Sequence, residues 1–482
     1  MSLWLQLYKS MQKYKDKKAL TDSNGDDVSY STLLKTIQSE AQRINELVPE
    51  GSKIAFLNTN SFYDAVSVLS ILAAGCIAIP LFSNYGHGRC LKILEGVNPG
   101  LVLTNNKESL IEFDNFTTLN LDIDINYMSK QKEINLPMKT VSEKEVAMLM
   151  FTSGTTGYPK GVMLTHSNIL SNLNSIKERF NLNQKDKILI VRPLYHISAM
   201  TGEFLLSLLN GAHIVFYDEE FSPRRLMRRL NDFEITIMCS TPTLFYNLAL
   251  MKRNIELNHL KKIILSGECL KPKVAEKIIE DFPNVNLYNG YGLTEASPRI
   301  SCLSPEEFHK KIGSVGKPLD NVKIKIIDQN DKEVSDEQIG ELLVSGPNVM
   351  KGYYNLESLT KEKLREGWLH TGDLAYQDEE GYIYIVGRKD NMIIRAGVNI
   401  YPEEIENKLL ECEEIKDIII FGESTPKYGQ NICAKIVPSE KNDINSAKIM
   451  ELCRKNLEPY QWPSELEIVD DIKKNHSGKK IR

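Results

Sequence analysis

The chain has 482 residues, 42% of them hydrophobic and 26% charged, which excludes a small stapled module or a disordered polymer and allows two to four domains. Lys plus Arg number 59 and Asp plus Glu 64, a net charge of −5, so no duplex-binding surface and no nucleic-acid partner is expected. Eight scattered cysteines without a C-x-x-C pair suggest neither a disulfide frame nor a structural zinc, and a reducing, cytoplasmic address follows.

The N-terminus reads as an amphipathic helix with Trp4, Leu5, Tyr8 and Met11 on one face. Leu33, Leu34, Ile37, Ala41, Ile44 and Leu47 then recur at helical spacing behind Ser31, the expected cap, and residues 53–57 read as a strand. The apolar run 65–80, interrupted by Ser67, Ser70, Gly75 and Cys76, is shorter than the roughly 20 residues of a bilayer span. It predicts a buried helix followed by a strand, and no transmembrane segment. Strand-length runs return at 146–151, 187–191, 213–217, 236–239 and 262–265, separated by helix-length segments, the pattern of two doubly wound α/β layers. From 312 to 386 short alternating runs punctuated by glycine predict a β-rich subdomain. The character changes again after GRKD at 387–390, and 392–482 form a compact α+β remainder with helices near 402–411 and 443–456.

Three strings carry chemistry. FTSGTTGYPKG at 151–161 follows a strand with hydroxyls, backbone N–H groups and one lysine, a cradle for phosphate oxygens that lacks the Walker GK[ST] ending. YNGYGLTEAS at 288–297 sets an aromatic and close-approach glycines before Thr294 and Glu295, suited to stacking a base, contacting phosphate and holding Mg²⁺. In the string 367–406, Asp373 follows a Gly turn and suits the hydroxyls of a ribose, with Arg388 as a second donor to the sugar. Taken singly, each has a bland reading: a flexible Ser/Gly loop, a Tyr-Gly turn on a buried strand, a turn aspartate with a charged linker. The basic end around SGK, with Lys473, Lys474, Lys479, Lys480 and Arg482, is by itself a solvated tail.

Together and in this order the strings resemble the adenylate-forming, AMP-binding superfamily of acyl-CoA synthetases, aryl-CoA ligases, firefly luciferase and peptide-synthetase adenylation domains, over essentially the whole chain. The resemblance implies a large N-terminal domain at 1–386, a hinge at 387–391 and a small mobile C-terminal lid at 392–482. It implies ATP-dependent activation of a carboxylic acid to an acyl-adenylate with loss of pyrophosphate, then thioester formation with CoA. By similarity Thr152, Ser153, Gly154, Thr155, Thr156, Gly157 and Lys160 hold the β- and γ-phosphates. Gly267, Glu268, Asn289, Gly290 and Tyr291 form the adenine slot, Thr294 contacts the α-phosphate and Glu295 the Mg²⁺. Asp373 and Arg388 hold the ribose, Lys479 reaches the α-phosphate and carboxylate, Asp390 is the hinge, and Gly397 leaves room for pantetheine. His196 resembles the aromatic or histidine gate of the CoA-ligase members; without the resemblance, a lone histidine beside Tyr195 is more often a satisfied structural residue.

Amino-acid-activating relatives place an Asp in the segment that here reads PLYHISAMTGE, 193–203. None is present, and an unpaired ammonium in a buried pocket is costly, so a plain fatty or aryl acid is expected, with Glu203 the one group able to serve an amine. Two rival readings stand beside this one. A stand-alone adenylation enzyme would pass the acyl group to the phosphopantetheine of an acyl carrier protein, and a CoA-phosphate cluster, for which Lys389 and Arg395 are weak candidates, would argue against it. A phosphotransferase or nucleotide sensor would use 152–160 alone and leave the C-terminal SGK unexplained.

Overall fold

The computed structural model describes residues 1–82, 87–105, 115–134, 139–152, 159–251, 257–395, 398–425, 429–439, 445–474 and 480. Runs such as KILI, HIVF and KIILS are apolar on both faces, which suits parallel strands covered on both sides by helices. They form the middle of a nine-stranded sheet ordered Lys317–Pro318, Arg299–Leu303, Asn286–Gly292, Lys262–Ser266, Ile237–Ser240, Lys187–Ile190, His213–Phe216, Lys18–Thr21 and Asp27–Ser29. The six strands from Asn286–Gly292 to Lys18–Thr21 run parallel, and antiparallel strands close both edges. Lys187–Ile190 is followed in sequence by a neighbour on one side and then by Ile237–Ser240 on the other. The strand order therefore reverses between these two, and open α/β sheets bind ligands at the carboxyl ends of strands at such a point.

A second sheet of seven strands carries Gly352–Tyr353, Lys160–Thr165, Val146–Thr152, Ile77–Phe82, Lys53–Asn58, Leu101–Thr104 and Thr118–Asn120 in that order. The helix Phe62–Ala73, buried along its whole length, and the strand Ile77–Phe82 account for the apolar run before Pro80. One core runs between the two large sheets, from Leu7 and Leu33 through Phe56, Leu69 and Met148 to Phe204. The β-rich segment forms an antiparallel sheet of Lys323–Ile327, Gly340–Ser345, Trp368–Gln377 and Leu364–Arg365, with Ile383–Arg388 on Trp368–Gln377. Residues after 392 build a fourth sheet with its own core, in which Ile405, Leu409, Ile418, Ile432, Ile436 and Ile449 meet.

Two local expectations are corrected. The helix Tyr30–Leu47 is capped by Ser29, not Ser31: Ser29 Oγ accepts from Thr32 N at 3.0 Å. Tyr30 is already helical because its ring is buried and its hydroxyl donates to Ala212 O at 2.7 Å. In the helix Leu3–Lys13 the buried stripe is Leu3, Trp4, Leu7 and Met11, while Leu5 and Tyr8 lie at its margin.

Candidate active site

The carboxyl ends of the parallel strands meet the other two large sheets at one place. Asn286–Gly292 ends in Tyr291, whose hydroxyl donates to Asp373 Oδ2 at 2.5 Å. Arg388 Nη1 donates to Asp373 Oδ1 at 2.7 Å and to Thr371 O at 3.2 Å. Burial and the neighbouring carboxylate push the Tyr291 phenol far above its ordinary value, so it stays a donor. Burial works against the Arg388 charge, but Asp373 more than restores it. Asp373 does not follow a turn: it sits inside the strand Trp368–Gln377, where the register slips opposite Glu341–Leu343. Gly372, at φ +72°, takes up the irregularity in a conformation that disfavours side chains. Asp373 is thereby aimed at Tyr291.

After Gly292 the chain makes a single tight helical turn, Thr294–Ala296. A Cβ on Gly292 would lie 1.8 Å from Pro298 O, so the doubling back of the backbone requires glycine there. Glu295 Oε1 accepts from Tyr353 Oη at 2.8 Å, and Glu295 O from Met350 N at 2.9 Å, which ties this turn to the seven-stranded sheet. In that sheet Thr152 pairs with Lys160 across the hairpin and closes the neck of the Ser/Thr/Gly string. Ser153, Gly154, Thr155, Thr156 and Gly157, together with Gly397 and Lys479, lie outside the described residues.

Asn289 is buried, and its side-chain amide donates to Ser314 O at 2.8 Å. Gly290 follows it, and Gly267 stands at the end of the neighbouring strand. Glu268 accepts from Thr243 Oγ1 at 2.6 Å. His196 packs 4.0 Å from the Tyr195 ring, which stacks on Phe82 at 4.4 Å. Asp390 is exposed within Lys389–Asn391, immediately after Arg388. The two CoA-phosphate candidates are otherwise engaged: Lys389 Nζ donates to Glu341 Oε2 at 2.7 Å, and Arg395 to the backbone oxygens of Tyr460 and Trp462.

Sequence reasoning passed over Tyr353, Glu341 and Arg192. It offered Glu203 to an amine, and the structure corrects this. Glu203 is fully buried in the π-helical turn Met200–Leu205, and Arg192 Nη2 holds its Oε1 at 2.5 Å. Burial raises the Glu203 carboxyl while the Arg192 charge pulls it down.

The comparisons with known proteins agree with this geometry. Residues 7–354 match the family model of the AMP-binding enzyme, and residues 404–479 that of the AMP-binding enzyme C-terminal domain. Over 472 residues, 97% of this chain and 95% of the relative, the sequence is 31% identical to 2-succinylbenzoate-CoA ligase of Oceanobacillus iheyensis. It is 34% identical over 349 residues to long-chain-fatty-acid-CoA ligase of Salmonella typhimurium, covering 71% of this chain and 61% of that one. Among solved structures, o-succinylbenzoate coenzyme A synthetase of Bacillus subtilis bound to its acyl-adenylate intermediate superposes with a TM-score of 0.89 at 28% identity, over 100% of this chain and 97% of the other. The same enzyme with ATP and a magnesium ion gives 0.89, also at 28% identity, over 100% of this chain and 98% of the other.

Proposed function

The chain belongs to the AMP-binding enzyme family, and from that premise we propose that it is an AMP-forming carboxylic acid-CoA ligase. The observation that carries the reading is the convergence of Tyr291, Asp373 and Arg388 with Glu295 and Tyr353 at the carboxyl ends of the parallel strands. In the first half-reaction a carboxylate oxygen attacks the α-phosphate of ATP and pyrophosphate leaves. In the second a thiol attacks the acyl carbonyl and AMP leaves. Like charges meet in the first step, so cations placed beforehand must screen them.

Asp373 and Arg388 hold the ribose in this scheme, Tyr291 and the glycine edges bound the base, and Thr294 contacts the α-phosphate. Glu295 suits a Mg²⁺ ion because Tyr353 occupies one carboxylate oxygen and leaves the other; a bound ion would supply screening of phosphate charge. Lys160, Thr152 and the string between them cradle the outer phosphates, and Lys479 approaches the reacting carboxylate. His196 gates the acid, Asp390 is the pivot and Gly397 flanks the thiol path. CoA is the proposed acceptor and a carrier-protein pantetheine the alternative; a cytosolic address belongs to the same reading.

The test is a split between half-reactions. Lys479→Ala should lower acid-dependent adenylation by about 10²- to 10³-fold, the usual effect of losing one such contact. Transfer from a preformed acyl-adenylate should fall far less, and equal loss in both steps would contradict the assignment.

A further inference from the structure

Buried charge is ordinarily paired, because an isolated ion out of water is costly. Among the described residues, one buried set holds more cationic than anionic side chains. Arg192 follows the strand Lys187–Ile190 at the point where strand order reverses, and gives Nε and Nη2 to Glu203 Oε1 at 3.2 and 2.5 Å. Its Nη1 donates to Ser266 Oγ at 3.2 Å, and Arg299 Nη2 reaches the same oxygen at 3.3 Å. Two guanidiniums thus face one carboxylate, whose Oε2 has no hydrogen-bond partner among the described residues; burial lowers the Arg299 guanidinium and raises the Glu203 carboxyl. The thiols of Cys239 and Cys302 lie near these charges and are pushed up by burial, Cys302 to about 12, and stay neutral. Arg299 is 3% exposed and its Nε has no hydrogen-bond partner among the described residues.

The unbalanced charge faces the acid-activating edge. A Cβ on Gly267 would meet Arg192 Nη1 at 3.8 Å, and one on Gly290 would meet Arg299 Nε at 3.4 Å. Both guanidiniums therefore lie directly behind glycines of the slot. Of the three charged side chains, Arg192 keeps the most accessible surface, 13% against 0% for Glu203. Guanidinium is also the group that reads a carboxylate with two parallel hydrogen bonds.

We propose that this cationic floor recognises a second carboxylate on the substrate, with Arg192 as the contact, so that the acid activated here is a dicarboxylic one. The inference rests on the ligase reading and narrows it. A saturated tail would set methylenes against guanidinium, whereas a carboxylate completes the charge balance.

Two matched pairs of acids test this: hexanoate with adipate, and 4-oxo-4-phenylbutanoate with 2-succinylbenzoate, which differ by one carboxylate each. Calorimetric binding, with α,β-methylene-ATP present, gives the diacid-to-monoacid affinity ratio, and pyrophosphate release is followed in parallel. The ratio should be at least about 10 in one pair, as a charge-assisted bidentate contact worth 1.4 kcal/mol or more requires. Arg192→Gln should bring it toward one. Because that change strands Glu203, the double variant Arg192→Gln/Glu203→Gln, matched in thermal unfolding to the parent, must show the same loss. Glu203→Gln alone removes the competing carboxylate and should raise the ratio, which a purely structural role would not do. Equal or tighter binding of both monoacids, or a ratio that Arg192→Gln leaves unchanged, overturns the proposal. Arg192-dependent diacid binding without pyrophosphate release would support it while refuting the ligase reading; pyrophosphate release with no diacid advantage would do the reverse.

Discussion

Asp373 accepts from Tyr291 and Arg388 on separate oxygens, so an amide in its place cannot keep both bonds. Asp373→Asn should raise the KM for ATP at least about 10-fold, as expected for a lost charge-assisted contact to the substrate's holder. An unchanged KM for ATP in pyrophosphate release would remove Asp373 from the nucleotide site. Asp373, Arg388, Thr294 and Glu295 could be proposed from the sequence because each lies in a short string whose residue types suit one ligand. Tyr353 could not, because its partner Glu295 is 58 residues away; Arg192 has Glu203 only 11 residues on, but its other partner, Ser266, is 74 away. The available signal was a charge where burial is expected, Arg192 closing the apolar run ILIV and Arg299 opening the buried strand RISCL.

The parallel strands could be read from continuous apolar runs, since burial on both faces leaves no alternation to misjudge. Helix starts and strand irregularities were harder, because tertiary contacts decide them. Tyr30 enters its helix early to bury its ring, and Gly372 serves a strand irregularity although its sequence context suggests a turn. The N-terminal elements are held by two histidines whose charged form burial disfavours. His166 Nδ1 accepts from Leu3 N at 3.3 Å, and His213 Nε2 meets Thr21 Oγ1 at 2.5 Å. Burial lowers both from 6.5 to about 4. Between these values the unfolded chain binds protons that the folded chain refuses, so the histidines' contribution to stability is full above pH 6.5 and falls as pH drops toward 4, while buried Asp64, raised to about 7, contributes in the opposite sense. Each histidine should cost up to about 3 kcal/mol over that window. In denaturant unfolding the change in stability from pH 7 to pH 5 should be more favourable in His166→Gln than in the parent; an identical pH slope in the variant would contradict the assignment.

At the scale of the molecule, the anchoring on either side of Asp390 suits the pivot proposed for it. Arg388 and Lys389 bond back to Asp373 and Glu341, whereas Asn391 Nδ2 donates forward to Glu403 Oε1 at 3.2 Å. The C-terminal tail is bound to the small unit through Lys480, which donates to Ile418 O and pairs with Asp417 Oδ1 at 2.5 Å, and so moves with it. In the proposed scheme a rotation at residue 390 would carry Lys480 with the small unit between half-reactions. Asp390→Pro, which stiffens φ, should reduce thioester formation at least about 10-fold more than adenylation, measured by single-turnover kinetics. Parallel losses in both steps would place the pivot elsewhere.

The central claim is that acid activation by ATP precedes transfer to CoA. The most direct measurement is pyrophosphate release with ATP and Mg²⁺ against fatty, aryl, dicarboxylic and amino acids, with and without CoA. The account predicts acid-dependent release with AMP as the second product, none from the amino acids, and faster turnover when CoA is added. Tight ATP binding without release for any acid, or ADP in place of AMP, would contradict it.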